Sequence, residues 1–241
     1  MGGFETIIYS KEDGIAQMSL NRPRVMNAHN MQMRDEMYQV LEAVRDDPEV
    51  RCLVLRGEGE RAFCTGADLT EFGTAPSRVI ARQVRWERDV WGLFLSIDKP
   101  IVAALHGYVL GSGVEMALLC DLRIASEDAV FGMPEVALGM LPAAGGTQTL
   151  PRMVGIPGAL DMLLRNERID AATAFECGLV HKVVSGDILM KEVFSLAGQL
   201  AACPPRLTKA VKEAMRRGLD LPLAQALELE LNLAARAVST G

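Results

Sequence analysis

Apolar residues recur along the chain with two different periods, and the changeovers mark its elements. Residues 6–9 and 15–20 are short β-rich runs on either side of Lys11-Glu12-Asp13-Gly14, a turn composition, and together they predict a hairpin that ends at Asn21-Arg22-Pro23. From Asn30 the spacing becomes helical through Met33, Met37, Val40, Leu41 and Val44, and Asp46-Asp47-Pro48 closes the helix. Residues 50–55 and 100–105 are continuous apolar runs bounded by glycine or proline, the pattern of strands buried on both faces. Helical patterns then dominate: 114–120, 149–154, 159–164 and 171–177, the last capped by Gly178 before a strand over 179–184. Amphipathic helices follow over 186–200, 205–217 and 223–238. Buried strands alternating with helices predict an α/β protein.

The candidate chemistry lies between the 100–105 run and position 148. Gly111-Ser112-Gly113 opens directly into a helix, so the N–H groups of the helix start project from a turn with little side-chain bulk, a ready cradle for an oxyanion or phosphate. Glu115 lies one turn in, among Val114, Met116, Ala117, Leu118 and Leu119, and Glu135 lies in an equally apolar run from Phe131 onward. A lone carboxylate in such surroundings is costly unless it faces a cleft or a partner. Two of them beside a nest of donors point to acid/base catalysis. The alternative is structural, each glutamate capping a helix or pairing with Arg123 or Arg152. The glycines fit neither a dinucleotide fingerprint, which needs glycine where Met116 stands, nor a nucleophile elbow, which needs glycine in place of Leu110 and Val114. Spacing gives no support to a Ser112–His106–Asp121 triad. His106, at the end of a buried strand, reads as a hydrogen-bonded structural residue.

Composition narrows the classes. The 241 residues suffice for one large domain or one domain with a helical appendage. A net charge of −6 argues against bulk nucleic-acid binding, which needs a basic footprint. Five cysteines, Cys52, Cys64, Cys120, Cys177 and Cys203, form an odd number without a CxxC pair and read as reduced thiols of a cytoplasmic protein. His29, His106 and His181 are dispersed, so no metal site is predicted. The first residues show no basic and apolar leader pattern, and no run has the length of a membrane span. Residues 70–91 turn polar and rich in arginine, the composition of a solvated helix face.

The runs HGYVLGSGVEMALLCDLRIAS and FGMPEVALGMLPAAGGTQ, with NRPRVMNAHN near the start, AFCTGADL at 62–69 and IDAATAFECGLVHKVV at 169–184, resemble the enoyl-CoA hydratase/isomerase (crotonase) family over nearly the whole chain. The resemblance implies a spiral of ββα units over 1–195 and a C-terminal helical region over 196–241 that joins subunits into a homotrimer or hexamer. It implies an acyl-CoA thioester as substrate, with no cofactor besides. Ala67 and Ser112 would supply the two N–H donors of an oxyanion hole, Glu115 and Glu135 the acid/base pair, and Arg24, Val25, Asp68, Leu69 and Thr70 the coenzyme and pantetheine contacts. The 70–91 region would border the acyl pocket, with Trp86 or Trp91 as its wall. Both acids together imply an enoyl-CoA hydratase of fatty acid metabolism, since isomerases of the family typically keep only the acid at Glu135. Other crotonase reactions, namely Δ3,Δ2-isomerisation, thioester hydrolysis and carbon–carbon cleavage, and an RNA-binding relative are the alternatives. Two departures stand out: Ser112 where the family usually has glycine, and a chain that ends at Ala237-Val-Ser-Thr-Gly241, short of a terminal helical segment common in the family.

Overall fold

Asp13 and Gly14, both at positive φ (48° and 78°), turn β1 (Ile7–Glu12) straight back onto β2 (Ile15–Leu20). That two-residue turn matches the right-handed twist of its strands. Lys11 and Glu12, read as turn residues from their polarity, therefore extend the exposed first strand and pair with Ala16 and Ile15. The computed structural model describes residues 3–239, apart from the side chains of residues 78, 81, 82, 84, 85, 238 and 239. Asn30 caps α1 (Met31–Asp46) by accepting the Met33 N–H at 2.9 Å, and the five residues that announced this helix are all buried.

A repeated order of long strand, short strand and helix follows. It runs through β3 (Cys52–Gly57), β4 (Ala62–Cys64), α2 (Arg78–Glu87) and α3 (Val90–Ser96), then β5 (Ile101–Leu105), β6 (Tyr108–Leu110) and α4 (Ser112–Leu119), then β7 (Leu122–Ser126), β8 (Val130–Gly132) and α5 (Gly146–Leu164). The remaining elements are β9 (Ile169–Asp170), α6 (Ala171–Glu176), β10 (Lys182–Val184), α7 (Leu189–Ala202), α8 (Pro205–Gly218) and α9 (Leu223–Ser239). The long strands join β1 and β2 in one sheet of order β1-β2-β3-β5-β7-β10, parallel from β2 onward. The short strands form a second sheet of order β4-β6-β8-β9. Each ββα turn thus adds one strand to both sheets, which makes the chain a spiral.

The larger sheet is covered on both faces. Leu53, Leu55, Ile101, Ala103 and Leu105 pack into the main core, whereas Cys52, Val54, Val102 and Ala104 pack against Val193 and Ala197 of α7. Alternate residues of one apolar run thus serve two cores, which explains why those runs lack a polar face. The expected boundary at 195/196 falls inside α7, and the chain leaves the cover of the sheet only after Ala202. The strand expected over 179–184 is confined to β10, because the Val180 N–H bonds back to Ala174 O and only the last three residues pair in register with β7. The expected helices over 149–154 and 159–164 are two limbs of α5, bent at Gly155 (φ 75°, ψ 165°).

Candidate active site

The second sheet ends where the main chain must come closest to itself. Gly66 follows β4 at φ 94°, Gly111 follows β6 at φ 51°, and a Cβ built on either would lie 3.6 Å from the other's Cα. Side chains at these positions would push the segments apart. Ala67 pairs with His29 in a parallel bridge in which the His29 N–H donates to Gly66 O (2.8 Å) and His29 O accepts the Asp68 N–H (2.9 Å). Because its two neighbours use that edge, the N–H of Ala67 faces the opposite side. Ser112 is the first residue of α4, so its N–H precedes the helical ladder. Both residues line one cavity of about 370 Å³.

The same cavity is lined by both expected acids. Glu115, 2% exposed, is held through Oε1 by the N–H groups of Ala144 (2.9 Å) and Gly146 (2.8 Å), the second at the start of α5. Glycine at 146 permits that approach, since a Cβ there would lie 3.0 Å from Glu115 Oε1. Glu135 opens a short 3-10 turn (Val136–Leu138), and its Oε1 lies 2.6 Å from where a Cβ of residue 111 would sit. Its Oε2 is buried without a hydrogen-bond partner among the described residues. Burial, and beyond it the charge of Glu115, pushes the Glu135 carboxyl above the usual carboxylate range. A buried acid with a spare oxygen thus shares one cavity with a second carboxylate that is fixed by backbone donors.

Neither glutamate pairs with Arg123 or Arg152, whereas Glu115 does cap the start of α5 through the Gly146 N–H. Arg123 is buried, but it donates to the carbonyls of Leu179, Ala117 and Cys120, and Arg152 reaches Gln148 O and Asp220. Nor do Ser112, His106 and Asp121 meet. His106 Nε2 lies 2.9 Å from Gly59 O, and Asp121 takes the Ile101 N–H and the Lys212 ammonium. His106 instead borders a larger concavity of about 480 Å³ with Arg56, Ser126 and Asp128, whose lining includes neither acid.

The expected coenzyme contacts separate. Leu69 lines the acid-bearing cavity, while Arg24 and Val25 belong to the exposed 3-10 turn Pro23–Val25, at a shallow hollow shared with Asn21 and Arg22. Asp68 Oδ1 accepts the hydroxyl (2.6 Å) and N–H (3.1 Å) of Thr70, and its Oδ2 meets Arg22 at 2.9 Å. The Thr70 hydroxyl first, then Arg22, hold the Asp68 carboxyl below the usual range. Trp91 of α3 lines the cavity, whereas Trp86 is 67% exposed and lies outside it. Sequence reasoning dismissed His29 as a metal ligand and gave it no other role, yet it lines the cavity with its ring centroid 5.5 Å from that of Trp91. Arg34, Phe72, Leu138 and Met140 were likewise not foreseen there.

Fold and site together define a spiral α/β protein with a carboxylate pair beside paired backbone donors. The profile of the enoyl-CoA hydratase/isomerase family matches residues 10–240, and the chain belongs to that family. It is similar to a crotonyl-CoA hydratase of Syntrophomonas wolfei (39% identity, 94% of this chain and 87% of that one) and to a 2,3-dehydroadipyl-CoA hydratase of Escherichia coli (36%, 94% and 88%). A crystal structure of an enoyl-CoA hydratase subunit from Geobacillus kaustophilus superposes with a TM-score of 0.91 at 38% identity, covering 98% of this chain and 91% of that one.

Proposed function

We propose that the protein is an enoyl-CoA hydratase, adding water across the trans-2 double bond of an enoyl-CoA thioester to give the 3-hydroxyacyl-CoA. The observation that carries this reading is the convergence of Glu115, Glu135, Ala67 and Ser112 on one cavity, with Glu135 biased toward its protonated form. Its relatives, named for crotonyl-CoA and 2,3-dehydroadipyl-CoA hydration, support it.

The Glu115 carboxylate takes a proton from water as the water oxygen bonds to C3. The C2=C3 electron pair moves toward the thioester oxygen, where the N–H groups of Ala67 and Ser112 stabilise the developing enolate. Glu135 delivers its proton to C2. Glu115 then holds a proton and Glu135 lacks one, and transfer between them restores the resting pair. The coenzyme lies along Leu69 toward Asp68, Thr70, Arg24 and Val25, and the subunits associate as trimers or hexamers. The mechanism calls on no cofactor beyond the thioester. In no described helix is there a stretch long and apolar enough to cross a membrane.

The test is hydration of crotonyl-CoA by Glu115→Gln and Glu135→Gln. Each is expected to lose about 10²- to 10⁴-fold in kcat with little change in thioester affinity, and the double variant to be hardly worse than either. A Glu115→Gln enzyme that hydrates at the parent rate would overturn the two-acid mechanism.

A further inference from the structure

Among the described residues only two buried side-chain polar atoms have no hydrogen-bond partner, Glu135 Oε2 and His29 Nε2, and both belong to residues lining the same cavity. A buried polar atom left unpaired costs about 1–3 kcal/mol, so its persistence in a pocket suggests that a ligand completes it. The Glu135 oxygen is accounted for by proton delivery. The His29 nitrogen has no part in that chemistry.

Position and surroundings restrict what it could meet. The bridge to Ala67 sets His29 beside the segment whose N–H grips the thioester in the reading above, and Trp91 leans on the ring at a 38° tilt. Much of the remaining wall, including Leu69, Phe72, Leu138 and Met140, is apolar. Burial first, then the charges of Arg34 and Arg22, hold the His29 ring down to about 4, so it is neutral near pH 7. Arg34, the cation lining the cavity, has its Nε and one terminal nitrogen committed to Asp35 Oδ1 at 3.1 and 2.8 Å. A neutral ring beside an already paired guanidinium is a poor seat for an anion and a good one for an uncharged group. A hydroxyl suits either imidazole tautomer, since it both donates and accepts.

We propose that His29 Nε2 is a specificity contact that hydrogen-bonds a hydroxyl carried on the acyl chain of the thioester, so that the cavity favours hydroxylated enoyl chains over plain alkyl chains of the same size. This rests on the thioester reading. A site built to pair such a group rejects the analogue that leaves its own polar atom unpaired.

The experiment compares two series of trans-2-enoyl-CoA thioesters of graded length, matched in heavy atoms, one ending in methyl and the other in hydroxyl. Their saturated counterparts are titrated by calorimetry, which needs no turnover. At one length the parent protein is expected to favour the hydroxyl member by about 10- to 100-fold in both kcat/KM and affinity. His29→Leu is expected to abolish or reverse that ratio, and His29→Gln, which keeps a polar end, to retain part of it. The parent's own ratio needs no variant to fold. A ratio that is the same in the parent and in His29→Leu, absence of a hydroxyl preference in the parent, or preference for a third, carboxylate-ended series would overturn the assignment while leaving the hydratase reading intact. Tight thioester binding that depends on His29, without any hydration, would instead overturn the hydratase reading alone. Binding of neither series would overturn both.

Discussion

Burial of the Glu135 carboxyl costs the fold stability. That carboxyl titrates above the 4.5 of an unfolded glutamate because burial disfavours the charge, so between those values the native state holds a proton that the unfolded chain has lost. Stability contributed by this group is therefore greatest at low pH and falls as pH rises through the folded pKa. Glu135→Gln cannot ionise and escapes that loss. Its melting temperature is expected to exceed the parent's by a margin that is negligible near pH 4 and widens toward pH 8, read by scanning calorimetry across that range; a margin independent of pH would mean that the carboxyl is not strained by burial. Glu115 and Glu135 were visible in the sequence because a charged residue interrupts an apolar run. His29 was not, because Asn27-Ala28-His29-Asn30 has no period to break, and its place in the cavity arises from pairing with Ala67, far along the chain.

Among the elements, α1 and β5 were the most legible, since the first carries one helical period, the second an unbroken apolar run, and each has a clear stop. The hairpin was read with too long a turn because polarity was weighed above the two positive-φ positions that close it. The three-residue strands β4, β6 and β8 are too short to carry a period at all, so the ββα repeat was accessible only through resemblance. The loop between β6 and α4 carries a sharper expectation. Gly111 combines φ 51° and ψ −122° with the close approach of Glu135, so Gly111→Ala meets backbone strain and a carboxylate at once. Unfolding in urea is expected to register a loss of about 1–3 kcal/mol. Hydration should fall by at least about tenfold with both acids still present, a misplacement effect. Unchanged turnover would show that the glutamate can yield without cost.

At the scale of the whole molecule, α8 and α9 stand apart from the core. Lys212 ties α8 down by donating to Lys99 O (2.7 Å) and Asp121 Oδ2 (2.6 Å), yet no residue of α8 is buried. Leu207, Val211 and Met215 along it and Leu219 just past its end recur every fourth position, with Leu223, Leu227 and Leu231 continuing the pattern on α9, and all are exposed. So long an apolar stripe favours association. Light scattering at micromolar concentration is expected to report a trimer or hexamer, and Leu227→Asp with Leu231→Asp to shift it toward smaller species; a monomeric parent would contradict this. The meeting of Gly66 with Gly111 bears on descent as well as on geometry. On the hydratase reading the charge sink is made of peptide groups, and every amino acid except proline brings its own N–H. Point mutation can exchange the acids, the histidine and the pocket walls one codon at a time while the cradle for the thioester oxygen passes unaltered from parent to offspring. New chemistries can therefore arise on this scaffold by changing what surrounds the activated carbonyl, without reinventing the means of activating it.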